Sequence, residues 1–192
     1  MSKFKFRQRW SQFIIAAFAM ASTSASVASA SPSGTMGPQN TQNPVSKTAL
    51  NAAFVSNGKT INLSAYKGRP VMVWQVATWC GSCQAGLRMF LQNHSMIDQS
   101  DIQVVVLRDY KNGGYPGIGI TQFAQQVAPA LLHDPHFIFG DDSENLYQLY
   151  NPQHYVDIYE LIDPDGQVNV VSSAPSATFE KISDFILETS KP

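Results

Sequence analysis

Val71-Met72-Val73-Trp74-Gln75-Val76-Ala77-Thr78-Trp79-Cys80-Gly81-Ser82-Cys83 is the stretch on which the reading of this chain turns. Its first six residues are mostly apolar and partly β-branched, the pattern of a strand buried in the middle of a sheet. Residues 82–94 then place Cys83, Leu87, Phe90 and Leu91 on one face of a helix. Cys80 and Cys83, the two cysteines of the 192-residue chain, thus fall where a buried strand ends and a helix begins.

That placement has a chemical consequence. A thiol at a helix N-terminus faces unpaired backbone N–H groups and the positive end of the helix dipole, which stabilise its thiolate. The thiolate is the form that attacks disulfides, and a second cysteine one turn on can resolve the mixed disulfide that results. Cys80 is therefore read as the attacking thiol and Cys83 as the resolving one. A structural disulfide closing so short a loop would remove little chain entropy. A zinc site would want four ligands, and the sequence offers no second cysteine pair.

Working outward, Asn57-Gly58 separates two strand-like stretches, Leu50–Val55 and Thr60–Leu63, in the manner of a tight hairpin. Ile102–Leu107 reads as a second buried strand. A loop containing Asn112-Gly113-Gly114 leads to a helix over Thr121–Leu132, then to a short strand at Phe137–Phe139 and a short helix at Ser143–Tyr150. Tyr155–Ile162 and Val168–Val171 flank the turn Asp163-Pro164-Asp165-Gly166. Phe179–Leu187 closes the chain as an amphipathic helix. Parallel and antiparallel strands must then share one sheet with helices on its faces, an α/β sandwich.

The N-terminal end reads differently. Lys3, Lys5, Arg7 and Arg9 precede the apolar run Phe13–Ala21, and Ala28-Ser29-Ala30 supplies small residues for cleavage. These are the parts of a secretory signal peptide over residues 1–30, and a run this short falls well below the ~20 residues needed to span a bilayer. Residues 31–47, rich in small, polar and proline residues, read as a flexible linker, and residues 48–192 as the folded domain. The mature protein is expected to be periplasmic or otherwise extracytoplasmic, without stable membrane insertion. Beyond residue 30 the chain carries 9 basic and 14 acidic residues with no Lys/Arg cluster, which argues against nucleic-acid binding.

Val73–Cys83 resembles the active-site strand and motif of the TlpA/ResA-like branch of the thioredoxin superfamily, exported thiol–disulfide oxidoreductases. Asn57–Pro70 is similar to that branch's approach segment and Tyr159–Val168 to its penultimate hairpin, so the resemblance spans about residues 50–190. It implies a thioredoxin fold, here with an N-terminal β-hairpin extension, and disulfide exchange with client proteins. An upstream redox partner would reset the pair. No organic cofactor is implied, since the dithiol itself carries the electrons, and no metal is assigned.

The chain departs from that family at three places. A cis-proline facing the cysteines is expected six residues before the turn aspartate, and counting back from Asp163 gives Asp157. Using Pro152 instead would need a much longer strand. Arg88 stands where a helix-kinking proline is expected, and Gly86 where ResA-like members carry a glutamate. Asp157 either contacts the thiols, where its charge would oppose the Cys80 thiolate, or turns away to solvent or a loop. Trp79 is read as a docking surface beside the active site or as core, and Trp74 as core.

Two alternatives follow from these departures. Cys80 and Cys83 with His154 could bind copper, as in Sco-type chaperones of the same fold, since sulfur and imidazole suit Cu(I) and Cu(II). A redox-inactive thioredoxin-fold binding module is the other. His94, His133 and His136 read as surface or capping residues. Asp141-Asp142-Ser143-Glu144 reads as an acidic helix start, and Gly113–Gly117 as a connection or a partner-facing loop.

Overall fold

In the computed structural model, residues 47–190 are described; the expected signal peptide and all of the expected linker but its last residue lie outside them. The chain runs through β1 (Lys47–Thr48), β2 (Ala53–Ser56), β3 (Lys59–Asn62), β4 (Val71–Val76), α1 (Gly81–Gln92), α2 (His94–Asp98) and β5 (Gln103–Arg108). It continues with α3 (Ile120–Val127), β6 (Phe137–Asp142), α4 (Glu144–Tyr150), β7 (Ile158–Ile162), β8 (Gln167–Ser173) and α5 (Phe179–Thr189). The strands form one sheet in the order β1-β8-β7-β4-β5-β6-β2-β3. The β4–β5 and β5–β6 pairs are parallel and the β4–β7 and β7–β8 pairs antiparallel.

β4 is buried along its whole length, as a central strand must be. Its alternation divides the interior into two layers. Met72, Trp74 and Val76 point to the side covered by α1, α3 and α5, together with Leu87, Phe90, Phe123 and Phe185. Val71 and Val73 point the other way, into a smaller core with Phe54, Leu107, Leu146 and Tyr150. Each fully buried large apolar side chain contributes roughly 1.5–3 kcal/mol of transfer free energy, so β4 alone ties both layers to the sheet.

The N-terminal hairpin does more than append itself. Asn57 and Gly58 both take positive φ (49° and 73°), the twist that suits a two-residue turn, and β2 pairs antiparallel with β6 to lengthen the sheet. β1 begins at Lys47, the last residue of the expected linker, and pairs with β8.

Element boundaries differ from the sequence reading at several places, β2 beginning at Ala53 instead of Leu50 and β8 running on to Ser173. The helix over 82–94 ends at Gln92, and α2 follows across Asn93. The helix expected over Thr121–Leu132 stops at Val127, because Ala128 (φ −151°, ψ 62°) leaves helical space before Pro129, which cannot donate. β6 extends past Phe139 through Asp141 and Asp142, so those acids are strand residues. Ser143 caps α4, its Oγ accepting from Leu146 N–H at 3.0 Å. β7 begins at Ile158, not Tyr155, and Pro152 lies in a turn before it. Among the described residues no helix is long and apolar enough to cross a membrane.

Candidate active site

β4 ends at Val76, and Ala77-Thr78-Trp79 carries the chain over the sheet edge into α1. Cys80 N–H donates to Ala77 O at 3.0 Å, which fixes the turn. Cys80 is the N-cap of α1 in extended geometry, and its Sγ accepts from the backbone N–H of Cys83 at 3.2 Å. The sulfur thus takes the part that a Ser or Asp oxygen plays at ordinary helix starts. Its second neighbour is the Ser82 hydroxyl at 3.1 Å. Both cysteines are free thiols.

The two sulfurs differ in access. Cys80 retains 6% exposure and Cys83 none, so a large disulfide substrate can meet Cys80 first. Burial pushes the Cys83 thiol far above the ordinary range, and the neighbouring Asp157 and Cys80 push it further, against a smaller opposing effect of the Ala77 backbone.

Asp157 sits at the loop immediately before β7 and turns inward, with 3% exposure. Its oxygen and the sulfurs of Cys80 and Cys83 lie within 4.8 Å of one another. Of the two placements open from sequence, the one beside the thiols is therefore the one found. Oδ1 accepts from Trp74 Nε1–H at 2.8 Å, while Oδ2 is buried without a hydrogen-bond partner. The backbone is left-handed there (φ 66°), and its carbonyl accepts from Ala174 N–H at 2.9 Å. An unpartnered buried acceptor costs about 1–3 kcal/mol, and left-handed backbone at a residue with a Cβ costs roughly 1–2 kcal/mol more. Burial raises the Asp157 pKa, and the Trp74 hydrogen bond and the nearby Ser82 and Cys83 side chains hold the rise back.

Trp74 is core, fully buried, but sequence reasoning missed its polar role. The available signal was general: a buried tryptophan needs a partner for its N–H. Gly86 completes the arrangement. A Cβ at Gly86 would lie 2.6 Å from Trp74 Cη2 and 2.7 Å from Cζ2, so the indole occupies the space that any side chain there would need. Arg88 is exposed on the far side of α1, and α1 passes it without interruption.

Trp79 lies at the rim, 44% exposed, its ring edge-on to Tyr115 with centroids 5.2 Å apart. Its Nε1–H donates to Asn112 O at 2.7 Å. Asn112 itself is buried, and its Oδ1 accepts from Thr78 N–H at 2.8 Å. The 110–117 loop is thereby locked to the turn that presents Cys80, a link absent from the sequence reading because it joins residues 34 apart.

His154 does not join the thiols; it stacks on Tyr147 with centroids 4.9 Å apart, and the sulfur–imidazole set expected for copper does not assemble. His94 and His136 both bind the Asp134 carboxylate, which ties α2 to the start of β6.

No protein-family model matches the sequence, and no curated protein matches it. Solved structures do resemble its fold. A protein from Chlorobium tepidum assigned as thiol:disulfide interchange protein DsbE superposes with a TM-score of 0.57 at 21% identity, over 75% of this chain and 96% of the other. A thioredoxin-like protein from Aeropyrum pernix gives 0.53 at 20%, over 72% and 89%. A SCO1/SenC family lipoprotein from Bacillus anthracis gives 0.56 at 13%, over 78% and 99%. The fold is thioredoxin-like, with Cys80 and Cys83 at the start of its first long helix.

Proposed function

We propose that the chain is an exported thiol–disulfide oxidoreductase working through Cys80 and Cys83. The observation that carries this reading is the geometry of Cys80. Its sulfur caps α1 and accepts the Cys83 N–H, so negative charge on it meets a backbone donor and the positive end of the helix.

Cys80 thiolate attacks a client disulfide, one client sulfur leaves, and a mixed disulfide joins Cys80 to the client. Cys83, one turn along and buried behind it, attacks Cys80 Sγ and displaces the second client sulfur. Run in reverse, the same steps oxidise a client. The clients are proteins bearing thiols or disulfides, with an upstream redox protein restoring the pair. The Trp79–Tyr115 rim gives an extended client segment an aromatic surface beside Cys80. The basic, apolar and small-residue pattern of residues 1–30 supports export, to a compartment where such chemistry has substrates.

Cys80→Ser abolishes exchange with a disulfide-bonded client, whereas Cys83→Ser accumulates a mixed disulfide visible on a non-reducing gel. Turnover retained in the Cys80 variant contradicts the proposal.

A further inference from the structure

Disulfide exchange at this pair leaves one proton without an obvious destination. Cys83 must become a thiolate before it attacks, yet it is fully buried. Bulk water has no direct path to its Sγ.

Among the described residues, one carboxylate joins the two sulfurs in a cluster whose atoms all lie within 4.8 Å, and it belongs to Asp157. Its two oxygens are used unequally. Oδ1 is held by the Trp74 indole, and Oδ2 is buried with no hydrogen-bond partner. A buried acceptor left open beside a buried thiol is placed to receive the thiol's proton.

We propose that Asp157 is the proton acceptor of Cys83 in the resolving step, an inference that rests on the exchange reading of the pair. When Cys80 attacks, its negative charge leaves with the first client sulfur, the mixed disulfide is neutral, and the repulsion between Cys80 and Asp157 disappears. The Cys83 S–H proton passes to Asp157 Oδ2. The Cys83 thiolate attacks Cys80 Sγ, the Cys80–client S–S bond breaks, and the electron pair departs with the client sulfur. That leaving sulfur or solvent takes the proton back from Asp157. Two electrons have moved from the protein dithiol to the client, and Asp157 is again a carboxylate. Burial raises the basicity of the carboxyl, which strengthens it as an acceptor, while the same burial holds the Cys83 proton more tightly and makes a neighbouring acceptor necessary. The titratable groups facing Asp157 are Cys80, Cys83 and Tyr159, with Ser82 and Trp74 as uncharged polar neighbours.

The aryl disulfide 5,5′-dithiobis(2-nitrobenzoate) separates the steps. Attack by Cys80 releases one coloured thiolate, and attack by Cys83 releases the second. In stopped flow with the full chain, Asp157→Asn should not slow the first release. It should slow the second roughly tenfold or more at pH 7 and remove its carboxyl-dependent pH profile, in line with the usual size of general acid–base effects. An unchanged second phase, in rate and pH profile, overturns the inference alone. Absence of the first release in the unaltered protein overturns the exchange reading with it.

If Asp157→Asn does not fold, the unaltered protein still decides. The second-phase rate should rise through an ionisation between the carboxylate and thiol ranges. A rise confined to the thiol range, above about pH 8.5, overturns the inference.

Discussion

The indole Nε1–H of Trp74 donates to Asp157 Oδ1 at 2.8 Å, across the antiparallel pair formed by β4 and β7. The contact links two departures that look unrelated in the sequence. Trp74 fills the space a side chain at Gly86 would occupy, so the helix carries no acid there. The same indole holds an acid on the facing loop, at the position where a proline was expected. The site has a buried carboxylate after all, delivered by the loop before β7 instead of by α1.

Trp74→Phe keeps most of the ring volume and removes the donor. It should destabilise the protein by about 2 kcal/mol or more, combining the lost hydrogen bond with a small cavity. Urea unfolding measures it, and an unchanged midpoint would show that the bond contributes nothing.

Gly86→Ala forces a methyl group to within 2.6 Å of a rigid, fully buried ring. Overpacking of this kind costs about 1–3 kcal/mol, although alanine is the better helix former. A thermal melt equal to or above that of the unaltered protein would contradict the close packing.

How much of this could be read from sequence depends on the range of the interactions involved. The strand Val71–Val76, the helix behind the cysteines and the Asp163–Gly166 turn were legible because each is written in local periodicity or turn chemistry. Counting back from the turn reaches Asp157 as the residue at the expected proline position, because the count spans one short strand. Its orientation was not legible, because it depends on Trp74, 83 residues away. The breaks at Asn93 and Ala128 were missed for different reasons. At Asn93 the flanking segments keep helical spacing and only the backbone angles divide them, whereas at Ala128 the signal was Pro129, which turns the residue before it away from the helix.

Stability should fall as pH rises from mildly acidic to alkaline values. Burial lifts Asp109 to about 6, Glu160 to about 7 and Asp142 to about 8. Each titrates near 4 when unfolded, so the folded state binds more protons between about pH 4 and 8 and stability declines across that window. Asp134 acts oppositely. Its burial is outweighed by bonds from His136 and His94, which lower its pKa, so its contribution is lost as pH falls through the acid range. Melting temperature should therefore drop from pH 5 to pH 8, and Asp142→Asn should lessen the drop by several degrees, at roughly 3 °C per kcal/mol. Identical pH profiles for the two proteins would contradict this assignment.

Trp79 is half-exposed at the rim, so its loss should separate docking from chemistry. Trp79→Ala should lower kcat/KM toward a disulfide-bonded protein client about tenfold, equivalent to roughly 1.4 kcal/mol. Reaction with dithiothreitol should change little. Equal losses toward both substrates would instead assign Trp79 to the geometry of Cys80.

The central claim is that Cys80 and Cys83 form a cycling redox pair, and its most direct test is the pair's reduction potential. Equilibration against graded dithiothreitol or glutathione buffers should give one reversible two-electron transition between those of thioredoxin, about −270 mV, and DsbA, about −120 mV. A pair that keeps one redox state in every buffer would contradict the account.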